Sequence, residues 1–272
     1  MIRADLHSHT KYSHGADEPE EMFAAANARG LEILGFSEHS PRPQGYDYTH
    51  EYREKLAAGF AEYVSRGQDL KKMPGCRVLL AMEMDWLDGQ EDFIRKACSA
   101  HDFDYLLGSV HFIGRWGFDD GDAQWKNWDD TQRFAHYERY FALWRQMLSS
   151  GIFQIAAHPD LIKIFSAESF HKWLSREKSR EQIADCLDVL KQQGMAMEIS
   201  SAGLRKPCRE IYPCPTLMVL AAKCGVDITF ASDAHCVADV GRDFARLANY
   251  ARAFGFSRQA VFCQGEKTYL PF

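Results

Sequence analysis

A pair of histidines one residue apart, His7 and His9, stands at the exit of the chain's first apolar run, Ile2–Leu6. On an extended backbone that alternation turns both rings to one side. Five more of the eleven histidines join them near the ends of later runs: His14, His39, His111, His158 and His235. Two carboxylates, Glu83 and Asp233, hold the same kind of position. Neutral imidazole combined with carboxylate is a donor set for Zn, Mn or Fe. One such ion takes about four to six ligands, so these candidates suit two or three ions bridged by Glu83, Asp233 or both. Bridged ions about 3.5–4 Å apart are the arrangement of two-metal displacement chemistry. The other histidines, His50, His101, His136 and His171, fall in helix or loop positions and read as ordinary hydrogen-bonded polar residues. Glu38 and Asp85 are adjacent acids, read as partners that orient imidazole rather than as ligands.

Strand ends scattered along the sequence meet only if the strands lie side by side. Candidate strands are Ile2–Leu6, Ile33–Phe36, Arg77–Glu83, Tyr105–Val110, Phe153–Ala157, Ala196–Ile199 and Ile228–Ala231. Amphipathic stretches alternate with them, the pattern of a parallel sheet, closed or open. In a closed barrel the active site is built at the strand-exit face. Asp17, Pro19 and Glu20 predict a capped start for the first helix, and Gly30 its end. Phe134, Tyr137, Tyr140, Phe141, Trp144, Met147 and Leu148 form one stripe of a helix after Asp129, closed by Gly151. Further helices are expected at Ala184–Gln193, Thr216–Lys223 and Asp243–Phe254. Two long loops remain: Ser40–His50, rich in Pro, Gly and Tyr, and Phe112–Trp128, which carries three tryptophans and several aspartates. Loops of that length on an exit face act as lids or substrate walls.

The 272 residues and 46% hydrophobic content suit one barrel domain spanning residues 1–272. A net charge of −6 argues against nucleic-acid binding, which favours basic surfaces. No apolar run approaches the roughly 18 residues of a membrane span. The chain enters a strand pattern immediately, without the apolar stretch of a signal peptide. Its eight cysteines include no Cys-x-x-Cys and read as buried thiols of a reducing cytoplasm.

The ordered motifs resemble those of the PHP (polymerase and histidinol phosphatase) family: His-Ser-His-Thr at 7–10, Glu38–His39, Glu83, Gly-Ser-Val-His at 108–111, His158 and Ser-Asp-Ala-His at 232–235. Three stretches are similar to its histidinol-phosphatase branch: Gly108–Ile113 continuing to Trp116–Asp119, His158–Lys163, and Ala202–Lys206 followed by Glu210–Pro213. The resemblance implies a distorted TIM-like (β/α)7 barrel with three divalent ions at the C-terminal ends of its strands. It implies that His7, His9, Glu83 and Asp233 hold one ion, Glu83, His111 and His158 a second, and His14, His39 and His235 a third. Many relatives have Asp where His14 stands, and an acid is common where Gly114–Arg115 stands. The implied reaction is hydrolysis of L-histidinol phosphate, a small-molecule phosphate ester, to L-histidinol and phosphate. Clustered divalent ions would offset the phosphate charge and make hydroxide available near neutral pH. Glu83, Asp233 and Arg205 are the expected catalytic residues. Arg205 and Lys163 are the expected cations for the phosphate oxygens, and Trp116, Asp119 and Tyr46 are candidates for contacts to the rest of the substrate. Other readings are a phosphoesterase of the same family acting on another small ester or a nucleotide, an amidohydrolase-type barrel cleaving C–N bonds, and a non-catalytic metal-binding module.

Overall fold

The computed structural model describes residues 1–272. Seven strands lie side by side, all parallel: β1 (Ala4–Asp5), β2 (Ile33–Phe36), β3 (Arg77–Asp85), β4 (Tyr105–Ser109), β7 (Ile155–Ala156), β8 (Ala196–Ser200) and β9 (Asp227–Ala231). The two intervening strands, β5 (Phe112–Ile113) and β6 (Trp116–Gly117), form a small hairpin after β4. The sheet curls until its two edges meet. Leu6 N–H donates to Phe230 O at 3.1 Å and His9 N–H to Ala234 O at 2.8 Å, with a parallel bridge between Ser8 and Ala234. The seven expected strands are all present, although β1 and β7 keep only two ladder residues each.

Seven strands leave a narrow interior, and small residues fill much of it. Ala4, Leu6, Leu79, Ala81, Tyr105, Leu107, Ile155, Ala157 and Ala196 form a buried cluster inside the barrel. The Tyr105 hydroxyl reaches across to donate to Leu6 O at 2.7 Å. A Cβ on Gly35 would collide with that hydroxyl, so β2 has no side chain there. The same cluster includes Ala260, Val261 and Phe262 from β10 (Arg258–Cys263), which pairs with β11 (Glu266–Pro271) as an antiparallel hairpin. Lys267 of this hairpin pairs with Asp227 at the start of β9, and Cys263 meets Arg77 at the start of β3. The hairpin therefore closes the barrel at the end opposite the strand exits.

Helices cover the outside: α1 (Pro19–Ala28), α2 (His50–Leu70), α3 (Glu91–Cys98), α4 (Ala123–Asn127), α5 (Asp130–Ser149), α6 (Ala167–Leu174), α7 (Glu177–Gln192), α8 (Pro215–Cys224) and α9 (Phe244–Ala253). Helix α5 begins on an Asp129–Gln132 capping box, and Tyr137, Tyr140, Phe141, Trp144, Met147 and Leu148 of its stripe are all buried. Helix α1 starts one residue later than its sequence signal. Glu18 and Glu21 form its capping box. The Asp17 carboxylate instead accepts from Val237 N–H at 2.6 Å, tying the first loop to the last. The loop from Phe112 to Trp128 folds into β5, β6 and α4. Its Trp116 packs edge-on against Trp128 with ring centres 4.9 Å apart. No helix is long and apolar enough to cross a membrane.

Candidate metal centre

Each expected ligand arrives at the exit end of a barrel strand or on the loop just beyond it. His7 and His9 follow β1, His39 follows β2, Glu83 lies near the end of β3, and His111 follows β4. His158 follows β7, and Asp233 and His235 follow β9. His14 sits on a tight turn after β1, where Gly15 N–H donates to Thr10 O at 3.0 Å and a Cβ on Gly15 would meet the Thr10 backbone. His158 and Asp233 adopt positive φ, 23° and 49°. Left-handed backbone at non-glycine residues is strained and marks sites where side-chain aim matters more than local comfort.

Glu83 is the hub. One of its oxygens lies 2.9 Å from His39 Nδ1, 3.3 Å from His7 Nε2 and 3.4 Å from His9 Nε2. The other lies 2.8 Å from His158 Nε2 and 3.6 Å from His111 Nε2. Asp233 Oδ1 lies 3.3 Å from His9 Nε2, 3.8 Å from His7 Nε2 and 3.6 Å from His235 Nδ1. The His14 ring centre is 4.1 Å from that of His235 and 4.9 Å from that of His39. All nine expected residues thus share one basin. Four groups have ligand atoms within 4.8 Å of one another: His9–His39–His235, His7–Glu83–His158, His7–His9–Asp233 and His39–Glu83–His111. His14 is in none of these; its Nδ1 lies 3.0 Å from the Tyr52 hydroxyl.

The donor set fits divalent cations. Glu83 Oε2, His39 Nδ1 and His235 Nε2 are buried and have no aligned hydrogen-bond partner, although the first two lie 2.9 Å apart. Buried polar atoms left in this way are costly unless something else binds them. Burial opposes the charge on His111, but Asp85 and Glu83 together overcome it and hold its pKa up at about 9. His7 is raised in the same way by Glu198, Glu83 and Asp233 against burial. Burial, with neighbouring imidazolium charge, lowers His39 and His235 to about 3 and depresses His14 as well. These three rings therefore present lone pairs across the whole ordinary pH range. Burial works to protonate Glu83 and Asp233, yet the surrounding imidazoles hold both well below the usual carboxylate range.

A ring of orienting partners supports the cluster. His7 Nδ1 meets Glu198 at 2.7 Å, and the same carboxylate accepts from His158 N–H. His111 Nδ1 meets Asp85 at 2.5 Å. Glu38 is held by Thr10 N–H and by the Ser13 hydroxyl, 3.7 Å from His9 Nδ1. Glu38 and Asp85 thus touch imidazole as the sequence suggested. Glu198 carries no motif; its signal is a lone acid inside the otherwise apolar run Ala196–Ile199.

Above the cluster opens a cavity of about 370 Å³. His14, His39, Glu83, His111, His158, Asp233 and His235 form its floor. Tyr48, Thr49, Tyr52, Asp119 and Asp120 line it on the side of the two long loops, and Leu161, Ile164, Lys206 and Tyr212 on the side of the β7 and β8 exits. Asp119 reaches it as expected, held by the Tyr48 hydroxyl at 2.7 Å. The structure does not bring Lys163 there. Its ammonium is fully buried, 2.7 Å from Asp160, 3.2 Å from Glu210 and 3.0 Å from Ile211 O, because the 3-10 turn Leu161–Lys163 rotates it inward. Trp116 belongs to the Trp125–Trp128–His136 aromatic cluster and does not line the cavity. Tyr46 is likewise packed inward against Phe112. Arg205 stops short of the cavity: its guanidinium donates to Ser232 O at 2.7 Å and to Asp233 O at 3.3 Å, and pairs with Asp239. The cation on the rim is the next residue, Lys206.

A PHP domain profile matches residues 5–202. The chain belongs to the PHP family. The match takes in every site residue except Lys206, Tyr212, Asp233 and His235, along with Arg205, which brace or line the same cavity from beyond it. A Deinococcus radiodurans protein named "Probable histidinol-phosphatase" is 34% identical over 254 residues, 92% of this chain and 93% of its own. The Bacillus subtilis histidinol-phosphatase is 24% identical over 89% of this chain and 96% of its own. Among solved structures, the histidinol phosphate phosphatase of Lactococcus lactis subsp. lactis, a complex with Zn, L-histidinol and phosphate, shares the fold with a TM-score of 0.74. It is 20% identical, over 98% of each chain. Membership in a phosphoesterase family sets aside the C–N hydrolase reading.

Proposed function

We propose that this PHP protein is a metal-dependent phosphomonoesterase that hydrolyses L-histidinol phosphate to L-histidinol and phosphate. Residues 1–272 act as one catalytic unit. The observation that carries the reading is the basin of seven imidazoles and two carboxylates, of which five imidazoles and both carboxylates floor a cavity of about 370 Å³. That size suits a small ester. The names of the relatives support the substrate.

Three divalent ions, Zn, Fe or Mn, would be held here: one by His7, His9, Glu83 and Asp233, one by Glu83, His111 and His158, and one by His14, His39 and His235. When bound, such ions supply charge neutralisation for the phosphate and an activated water. The chain's own residues do the rest. Lys206 gives the phosphate a positive partner on the rim, in place of Lys163. Arg205 holds the Ser232 and Asp233 carbonyls and so fixes the loop that presents Asp233. The departing alkoxide takes its proton from water in the cavity, because the surrounding imidazoles hold Asp233, 12% exposed there, well below the usual carboxylate range. Asp119 and Asp120 face the substrate amine, and Tyr48, Tyr52 and Tyr212 wall the imidazole. The eight unpaired cysteines support a reducing cytoplasmic setting.

The test is phosphate release after loading with Zn, Mn or Fe, over L-histidinol phosphate, other monoesters, diesters and cyclic amides. The highest kcat/KM belongs to L-histidinol phosphate; preference for a diester or an amide sinks the assignment. Lys206→Ala lowers kcat/KM by roughly 10- to 100-fold, the worth of one charge-assisted hydrogen bond, while Lys163→Met acts on stability instead.

A further inference from the structure

Arg42 is a charged side chain in an unexpected place. It lies in the long loop after β2, between Pro41 and Pro43, whose rings restrict the local backbone. Only 4% of it is exposed. Its Nε pairs with Asp85 at 2.6 Å, and neither of its two terminal amino groups has a hydrogen-bond partner. Aromatic faces surround it: the guanidinium carbon lies 4.8 Å from the Tyr48 ring centre, 5.6 Å from that of Tyr52 and 5.1 Å from that of Phe112. A buried guanidinium with two unmatched amino groups is a poor choice for stability alone.

Three of the four groups around Arg42, all but Phe112, in turn hold a residue of the site. Asp85 meets His111 Nδ1 at 2.5 Å. The Tyr52 hydroxyl meets His14 Nδ1 at 3.0 Å. The Tyr48 hydroxyl donates to Asp119 at 2.7 Å. His111 and His14 belong to the groups assigned to the second and third ions, with ring centres 5.4 Å and 4.9 Å from that of His39, and Asp119 is on the cavity wall.

We propose that Arg42 is a positioning residue that sets the aim of His111 and His14 together, so that the second and third ion sites form in register with the Asp119 wall. This rests on the metal-dependent phosphomonoesterase reading. Arg42 touches neither ions nor substrate; it acts through Asp85 and the two tyrosines. Partners of this kind, one bond removed from a metal, change metal affinity or activity by about 10- to 100-fold when lost.

The full-length chain is loaded with Zn, then metal per chain, kcat and KM are measured for wild type, Arg42→Gln, Arg42→Lys, Asp85→Asn and the double variant. Arg42→Gln, folded by circular dichroism, binds less metal per chain and loses about tenfold or more in kcat, with KM changed by less than about threefold. Arg42→Lys, which keeps the charge beside Asp85, recovers most of the metal and kcat. Asp85→Asn fails in the same sense, and the double variant is no worse than the weaker single one, because the two residues act as one unit. The proposal is overturned if Arg42→Gln keeps full metal content and kcat, or if Arg42 and Asp85 losses simply add. It is also overturned if activity falls only in step with the unfolded fraction and Lys gives no rescue. Where Arg42→Gln yields no folded protein, the double variant, which removes both buried charges, and Arg42→Lys decide between the same outcomes. Absence of phosphate release by the metal-loaded wild type would instead count against the functional reading itself.

Discussion

Glu83 faces five imidazoles, those of His7, His9, His39, His111 and His158, all within 3.6 Å. No substitute side chain can offer two acceptor oxygens at the same reach. Glu83→Gln keeps the shape but turns one end into a donor, and we expect metal content and phosphate release to fall together by at least about 100-fold. Turnover with an intact metal complement in that variant would remove Glu83 from the bridge. His111 supplies a pH signature. Its pKa before loading is raised to about 9, so its charge stabilises the ion-free fold fully below the ordinary imidazole pKa, and that contribution is lost as pH rises through the raised value. An incoming cation must displace the proton. Metal uptake near neutral pH should therefore release protons, seen as a buffer-dependent heat in calorimetry, and this release should shrink above the His111 pKa. Buffer-independent heats at neutral pH would contradict the assignment. At this scale the convergence of the nine candidate ligands was legible because strand direction and period-two alternation are local properties. Of their supports, Glu38 and Asp85 were legible, but Glu198, 191 residues from His7, and Arg42, 43 residues from Asp85, were not. Lys163 misled because a strand exit locates a residue without saying which way a following 3-10 turn will rotate it.

Among the elements, the C-terminal hairpin shows what apolar runs conceal. Ala260–Phe262 is too short a run to stand out, and its turn, Gln264–Gly265, has both residues at positive φ, 51° and 77°. That is the conformation Asn-Gly ordinarily provides, so the sequence lacks the usual hairpin signal. The seven barrel strands were readable because each is buried on both faces and so forms a continuous apolar run. The start of α1 was misplaced by one residue because Asp17 and Glu18 are both competent caps, and the Asp17 bond to Val237 N–H decides between them. The hairpin's place inside the barrel carries a prediction. Phe262 is buried with the interior cluster. We expect Phe262→Ala to destabilise the fold by about 3–5 kcal/mol through the cavity it leaves, with unchanged metal per folded chain. Denaturation midpoints alongside metal analysis check this; an unaltered midpoint would show that the hairpin is only appended.

For the molecule as a whole, the candidate ligands come from both ends of the sequence, from His7 to His235, so cations bound among them would staple the barrel where β1 meets β9. Binding to the native state alone adds stability in proportion to the logarithm of ligand concentration over Kd. Chelation should lower the melting temperature by several degrees and re-addition of Zn or Mn should restore it; a melting curve indifferent to chelator would disconnect the cluster from the fold. The number of barrel strands was readable, whereas the closure of the far end was not, since it depends on contacts made by the last residues with the first. That closure has a kinetic corollary. A vessel stoppered at its base has one doorway, and cations, ester and both products must share it. Inorganic phosphate resting in the doorway should then trap the ions beneath it, so a chelator will strip the protein more slowly when phosphate is present than when it is not.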